Sequence, residues 1–242
     1  MTAPDRAWEA HAGWWQREYT DGADPEYVEQ ILPLVDRHLA RAGRVLDVGC
    51  GEGQVARRVS ALGAGFVAGV DPTAAQLAVA RERGGGPVYT QAVAEALPWA
   101  NRSFDAVVVC LVLEHVDPFE PAIAEIARVL TPGGRFVLLL NHPLLQTPDS
   151  GFVIDHEMGE QYWRLGPYLR DDRAMEEVAP GVELTFLHRP LHRYVNCLAE
   201  QGLLIEHMDE PAPPAGFLRR APEYEHAATI PRLLTLVTRK AV

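Results

Sequence analysis

Val45-Leu-Asp-Val-Gly-Cys-Gly-Glu-Gly-Gln54 is the stretch that decides how this 242-residue chain folds. Val45 to Val48 has the composition of a buried strand, the alternate glycines make a tight turn, and Gln54 to about Leu62 reads as a helix. A strand that turns through glycine into a helix presents bare backbone N–H groups where a ligand can approach closely. The glycine spacing narrows the ligand. A dinucleotide fingerprint needs G-x-G-x-x-G, whereas the glycines here fall at Gly49, Gly51 and Gly53, with Gln54 where the third would stand. A dehydrogenase built on such a sheet is disfavoured for that reason.

The motifs that follow come in a fixed order. Eighteen residues past Gly53, a second apolar strand (Phe66 to Val70) ends in Asp71, a position from which an acidic side chain accepts ribose hydroxyls, and Asp71-Pro-Thr opens another helix. A third strand near Val88 precedes Val93-Ala-Glu-Ala-Leu-Pro98. Ser103-Phe-Asp-Ala-Val-Val-Val-Cys110 is a fourth strand, with Leu111-Val-Leu-Glu-His-Val116 at its carboxyl end. Val129-Leu-Thr-Pro-Gly-Gly134 closes a helix and leads into strand five, Arg135 to Leu140. With D-x-G-x-G-x-G at Asp47 to Gly53, this succession resembles the class I S-adenosylmethionine-dependent methyltransferases, in their common small-molecule branch, from Arg44 to about Leu140. The resemblance implies a Rossmann-like α/β fold, doubly wound, with helices on both faces of a mostly parallel seven-stranded sheet whose seventh strand is antiparallel. It also implies S-adenosyl-L-methionine as cofactor and S-adenosyl-L-homocysteine as product.

Cofactor residues follow from the same resemblance. Gly49, Cys50 and Gly51 are expected beside the methionine portion, where a Cβ on either glycine would intrude. Asp47 either anchors the glycine loop or reaches the cofactor ammonium, and anchoring is the preferred reading. Asp71 is expected on the ribose and Pro72 against the adenine, although Asp71 is also a reasonable helix cap. Many relatives place Asp before the Ala of the adenine loop; Val93 stands there in this chain, so adenine recognition falls to the Ala94 backbone and apolar contact, with Glu95 a possible compensation. The Cys110 carbonyl is expected to meet the ammonium, and its thiol reads as a small core group.

Composition sets the frame. A length of 242 residues suits one α/β domain, residues 1–242. Within it the reading gives a helical segment over the cofactor cleft (1–43), with a helical run from about Pro25; a core (44–140); an inserted substrate cap (141–190); and a completion of the core (191–242). That completion holds a helix from about Leu191 to Glu200, strands from Leu203 to Met208 and Arg232 to Thr238, and a stiff turn-rich connection from Pro211 to Gly216. Three cysteines suggest no disulfide framework, and the first residues lack a basic region followed by an apolar stretch, so a reduced cytoplasmic setting is expected. No apolar run reaches the roughly 18 to 20 residues of a spanning helix. A net charge of −11 without a basic stripe argues against a nucleic-acid substrate and for a small-molecule acceptor.

The reaction asks for alignment of a nucleophile with an already electrophilic methyl group, and for a base only where the acceptor carries a proton. Oxygen is slightly preferred as acceptor over nitrogen or carbon, and a catalytically silent cofactor-binding protein is the remaining alternative. His115 and His142 stand at the carboxyl ends of strands four and five. His142 is the first choice for a base if the acceptor is a hydroxyl, although a loop-shaping role is the preferred reading of it; His115 belongs to the Leu-Glu-His-Val element, for which packing is the preferred reading. Tyr162, Trp163, Tyr168 and His188 are the candidate substrate residues of the cap, walling a planar acceptor or forming a satellite core. His188 and His192 have the i, i+4 spacing of metal ligands, but Pro190 between them and the lack of a second ligand pair favour no metal.

Overall fold

The computed structural model describes residues 3–220, 222 and 228–242. Helix α1 (Ala3–Glu18) is followed by a π-type stretch, Tyr27–Ile31, that runs into α2 (Leu32–Leu39). The core then alternates: β1 (Arg44–Val48), α3 (Gln54–Ala61), β2 (Phe66–Asp71), α4 (Ala74–Arg83), β3 (Val88–Gln91), β4 (Phe104–Cys110), α5 (Glu120–Val129) and β5 (Leu130–Asn141). Two hairpins follow, β6 (Gly151–Asp155) with β7 (Glu160–Arg164) and β8 (Asp172–Ala179) with β9 (Val182–His188). The chain closes with α6 (Leu191–Glu200), β10 (Leu203–Asp209), α7 (Ala215–Arg220) and β11 (Leu233–Lys240).

Seven of these strands form one sheet in the order β10-β11-β5-β4-β1-β2-β3. Strands β1 to β5 pair in parallel, and β11 runs antiparallel to both β5 and β10. The absence of clean alternation in the strand sequences has a direct cause. In β4, Val107 and Val109 enter one apolar layer with Ile123 and Ile126 of α5, while Ala106, Val108 and Cys110 enter the other with Val35, Leu39 and Val55. Both faces are covered, so both faces are apolar.

The helices begin and end as their residues dictate. Gly53, at φ 86°, takes the left-handed conformation that starts α3, and Gly84, at φ 63°, ends α4. Strand order reverses at β1, which lies between β2 and β4. That is the switch point outside whose carboxyl edge an open α/β sheet leaves a crevice.

Three parts differ from the sequence-based expectation. Residues 141–190, read from sequence as an inserted cap with no elements assigned, carry the two hairpins, each turned by a glycine in the left-handed region, Gly159 (φ 68°) and Gly181 (φ 74°). Helix α1 is a full element of its own ahead of the run from Pro25, and the turn-rich connection from Pro211 ends in α7. Strand β5 starts at Leu130, five residues before the expected Arg135, because Leu130 already pairs with Phe104; Thr131 to Gly134 form an irregularity before pairing resumes between Arg135 and Ala106.

Candidate active site

The glycine turn is built by neighbouring backbone before any side chain contributes. The N–H groups of Gly49 and Cys50 both donate to the Val70 carbonyl, at 2.7 and 3.0 Å, and that of Gly53 donates to Cys50 O. Gly49 sits at φ 74°, and a Cβ there would overlap the Val112 side chain, so glycine is required twice over. Asp71 completes the turn from β2: its Oδ2 accepts the Gly51 N–H at 2.8 Å and its Oδ1 accepts the Thr73 N–H at 2.8 Å. One carboxylate thereby fixes the glycine loop and the entry to α4 together.

Beside this turn lies a cavity of about 310 Å³. Asp47, Gly49, Cys50, Gly51, Asp71, Pro72, Val93, Ala94 and Cys110 all line it, as does His115. Trp8 and Trp15 of α1, Tyr27 from the π-type stretch and Arg173 of β8 close it from outside the core. Helix α1 and the turn after it are held in place by side chains: Glu9 accepts the Ala75 N–H at the start of α4 (3.1 Å), Gln16 donates to Gln76 (2.9 Å), and Asp21 of the turn pairs with Arg83 (2.9 Å).

Burial sets the charge states. Asp47 is 2% exposed, and desolvation pushes its carboxyl up to about 8 against the nearby Ala56 N–H, with Asp71 and Glu52 adding to the rise. Its Oδ2 has no hydrogen-bond partner. Glu52, almost fully buried, is neutralised by Arg57 and Arg83. Burial raises the thiols of Cys50 and Cys110 well above their ordinary value, which keeps both protonated and inert at neutral pH.

His115 is the most specific group in the cavity wall. It ends a single 3₁₀ turn, Leu113–His115, reached through Leu111, whose φ of 56° is strained for a bulky residue. Nδ1 lies 2.8 Å from the Thr185 carbonyl of β9; a carbonyl only accepts, so Nδ1 carries the proton and Nε2 the lone pair. The ring meets Trp8 edge-on at 5.0 Å and Phe186 at 4.7 Å. Desolvation lowers its pKa to about 4, so the imidazole is neutral at pH 7.

The other predicted acceptor-site residues lie elsewhere. His142 is 5% exposed and absent from the cavity; its Nδ1 accepts the Leu144 N–H at 3.1 Å and Nε2–H donates to Glu210 at 2.7 Å. Both ring nitrogens are committed to shaping the loop after β5, the preferred reading of this residue, and neither remains for the alternative role as base. Tyr162 and Trp163 belong to the β6–β7 hairpin, where Trp163 packs edge-on against Phe152 at 5.2 Å and Tyr162 is exposed. Tyr168 accepts the Leu191 N–H at the start of α6 (2.9 Å), and its carbonyl accepts from His188 Nε2 (2.8 Å). Trp163, Tyr168 and His188 thus hold the inserted segment together, Tyr162 lies on its surface, and none of the four lines the cavity. Instead, walls come from α1, whose Trp8 and Trp15 are seven residues apart and so share a helix face, and from Tyr27, Gln76 and Arg173. The aromatic spacing of α1 was the available signal; nothing in the sequence placed Arg173.

The fold agrees with what similar proteins show. A family described as "Methyltransferase domain" matches residues 46–138. An uncharacterized methyltransferase of Mycobacterium tuberculosis is 36% identical over 180 residues, covering 74% of this chain and 67% of that protein. The crystal structure of an S-adenosylmethionine-dependent methyltransferase from Mesorhizobium loti superposes with a TM-score of 0.75 at 30% identity, over 86% of this chain and 96% of that one. The chain belongs to the class I S-adenosylmethionine-dependent methyltransferases. An O-methyltransferase of Penicillium expansum is 31% identical over 153 residues, 57% of this chain and 54% of that protein.

S-adenosylmethionine is accordingly the cofactor of this methyltransferase, and the cavity suits it. A buried carboxylate oxygen without a partner, Asp47 Oδ2, matches a ligand that brings an ammonium, and the open space at Gly51 (φ 52°) leaves backbone accessible. Among the described residues no group of three or more potential ligands is placed to hold a metal ion, and no helix is long and apolar enough to cross a membrane.

Proposed function

We propose that this methyltransferase transfers a methyl group to a hydroxyl of a small aromatic or cyclic acceptor, with His115 as the base. The carrying observation is His115 itself: a neutral ring in the cavity wall, with Nδ1–H spent on Thr185 and the Nε2 lone pair remaining. Trp8, Trp15 and Tyr27 supply flat apolar walls suited to a planar acceptor. The acidic lining and the net charge of −11 disfavour a polyphosphate substrate, and the Penicillium relative is named for O-methylation.

When bound, the cofactor supplies an electrophilic methyl on a sulfonium. Asp71 is assigned to the ribose, Pro72, Val93 and Ala94 to the adenine, and Asp47 with the Cys110 carbonyl to the ammonium. The glycine turn, from Gly49 through Cys50 to Gly51, cradles the methionine portion, and α1 excludes water from above. His115 Nε2 takes the acceptor's proton as the new carbon–oxygen bond forms. A pKa near 4 suffices for this, because an alkylated hydroxyl is far more acidic than the starting alcohol or phenol. The test is a panel of phenols, anilines and carbon acids assayed for S-adenosylhomocysteine release, with mass spectrometry locating the new methyl. Turnover confined to amines or carbon acids would overturn the hydroxyl reading.

Two predictions follow from the cofactor assignments. Asp47 holds its proton at pH 7 in the empty site, and a ligand ammonium favours its ionised form. The affinity for S-adenosylhomocysteine should therefore rise between pH 6 and 8, by up to about tenfold per pH unit, with proton release on binding. Calorimetry in two buffers of different ionisation enthalpy measures both quantities, and Asp47→Asn should flatten the slope. A pH-independent affinity in the native protein would detach Asp47 from the ammonium. The second concerns Val93, 36% exposed on the cavity wall, so a carboxylate placed there is not sealed in apolar surroundings. Val93→Asp should tighten cofactor binding by about 0.5 to 1.5 kcal/mol through an acceptor for the adenine amino group. Weaker binding by the folded variant would misplace the adenine.

A further inference from the structure

The charge of the cavity is lopsided. Of the carboxyl groups that line it, Asp47 holds its proton and Glu52 is paired with Arg57 and Arg83, which leaves Asp71, Glu95 and Asp117 beside Arg173, the one Lys or Arg among the described lining residues. Arg173 is contributed by β8, beyond the matched methyltransferase domain, which ends at residue 138. Its Nη2 donates to Asp117 Oδ2 at 3.0 Å, with the two side chains 54% and 49% exposed. An ion pair so exposed is weak, and opening it costs little. Nor would Asp117 be stranded by the loss: its Oδ1 lies 3.4 Å from Nη2 of the buried Arg189, which also donates to the Leu113 and Val116 carbonyls. The Arg173 guanidinium can thus exchange one carboxylate for another while its present partner keeps a counter-charge.

The position of this exchange point favours the acceptor over the cofactor. Asp71 ends β2, the glycine turn follows β1, and Asp117 lies two residues past His115, after β4. In the sheet, β4 is on the opposite side of β1 from β2. An anion held by Arg173 therefore sits at the His115 end of the crevice, away from the ribose carboxylate.

We propose that Arg173 is a specificity-determining residue that anchors a carboxylate on the methyl acceptor, taking it in exchange for Asp117. The acceptor class is then a hydroxyaryl or cyclic hydroxy acid, its acid group on Arg173 and its hydroxyl at His115. A planar guanidinium receives a carboxylate in two parallel hydrogen bonds, which fixes orientation as well as adding affinity. The claim rests on the cavity being the acceptor site of the proposed O-methylation, and its test reads binding so that the two can fail separately.

The protein loaded with S-adenosylhomocysteine is titrated with matched probes, 3- and 4-hydroxybenzoate against the corresponding hydroxybenzamides, by ligand-observed NMR and calorimetry. The acids should bind about tenfold or more tighter than the amides. Arg173→Gln should erase that preference and Arg173→Lys should keep part of it, whereas Asp117→Asn, which removes the competing internal carboxylate, should tighten the acids. A purely structural ion pair would move both partners' variants in the same direction. Thermal denaturation of each loaded variant establishes that it is folded. The proposal is overturned if no acid binds, if acids and amides bind alike, if the preference survives Arg173→Gln, or if that variant weakens S-adenosylhomocysteine itself, which would assign Arg173 to the cofactor carboxylate. Acid binding that depends on Arg173 with no methylation of any hydroxyl would sink the O-methylation reading and leave the anchor standing.

Discussion

Replacing His115 with asparagine is expected to lower kcat by about 10²- to 10⁴-fold and to change the Kd of S-adenosylhomocysteine by less than about threefold. Asparagine is the informative substitution because its amide N–H can replace the Nδ1–H bond to the Thr185 carbonyl, 2.8 Å away in the native protein, while offering nothing in place of Nε2. The hairpin therefore stays docked and the base alone is removed. Alanine would open a void beside Trp8 and Phe186 and mix packing with chemistry. The pH profile gives an independent check. Protonation destroys the base, and the pKa is lowered by burial to about 4, so the acid limb of kcat/KM should lie well below the 6.5 of an ordinary histidine. The same shift makes the folded protein bind fewer protons than the unfolded chain, so this group's contribution to stability is complete above about 6.5 and declines as pH falls toward 4. A fall in kcat of less than about fivefold in His115→Asn would point to transfer driven by proximity alone, to an acceptor that needs no base.

The sequence carried the core far better than the acceptor side, for physical reasons visible in particular residues. Gly49, Asp71 and the apolar strands are local devices: a left-handed turn, a carboxylate two residues before the N–H it caps, and runs buried on both faces each leave a pattern within a few positions. Helix α6 was readable from Leu191 to Glu200 for the same reason. Residues 141–190 leave no such mark, because the hairpins pack only some of their large side chains, such as Phe152 on Trp163, and leave others, Ile154, Tyr162 and Met175 among them, in solvent, so apolar residues there do not mark a buried face. Aromatic density there fits a substrate wall and a satellite core equally, and sequence alone does not choose between them. What separates His115 from His142 is likewise non-local. Each follows a core strand, and the partners at Thr185 and Glu210, 70 and 68 residues away, decide how each ring is held.

Asp71→Ala should raise the Kd of S-adenosylhomocysteine by roughly 10- to 150-fold, the equivalent of about 1.5 to 3 kcal/mol for a lost charge-assisted hydrogen bond. The structure gives this carboxylate two tasks at once. It is the assigned ribose acceptor, and in the native fold it holds the Gly51 and Thr73 N–H groups at 2.8 Å each, so its removal frees the glycine turn as well. Asp71→Asn separates the tasks, because an amide keeps one carbonyl acceptor but loses the charge and the second acceptor oxygen. If ribose binding dominates, asparagine should retain part of the affinity and the melting temperature of the ligand-free protein should barely move. If loop anchoring dominates, both variants should melt early, since only one of the two N–H groups can be held by asparagine and neither by alanine. A folded Asp71→Ala protein with native affinity would remove the residue from the cofactor site altogether, and calorimetry on the two variants beside the native protein decides among these outcomes.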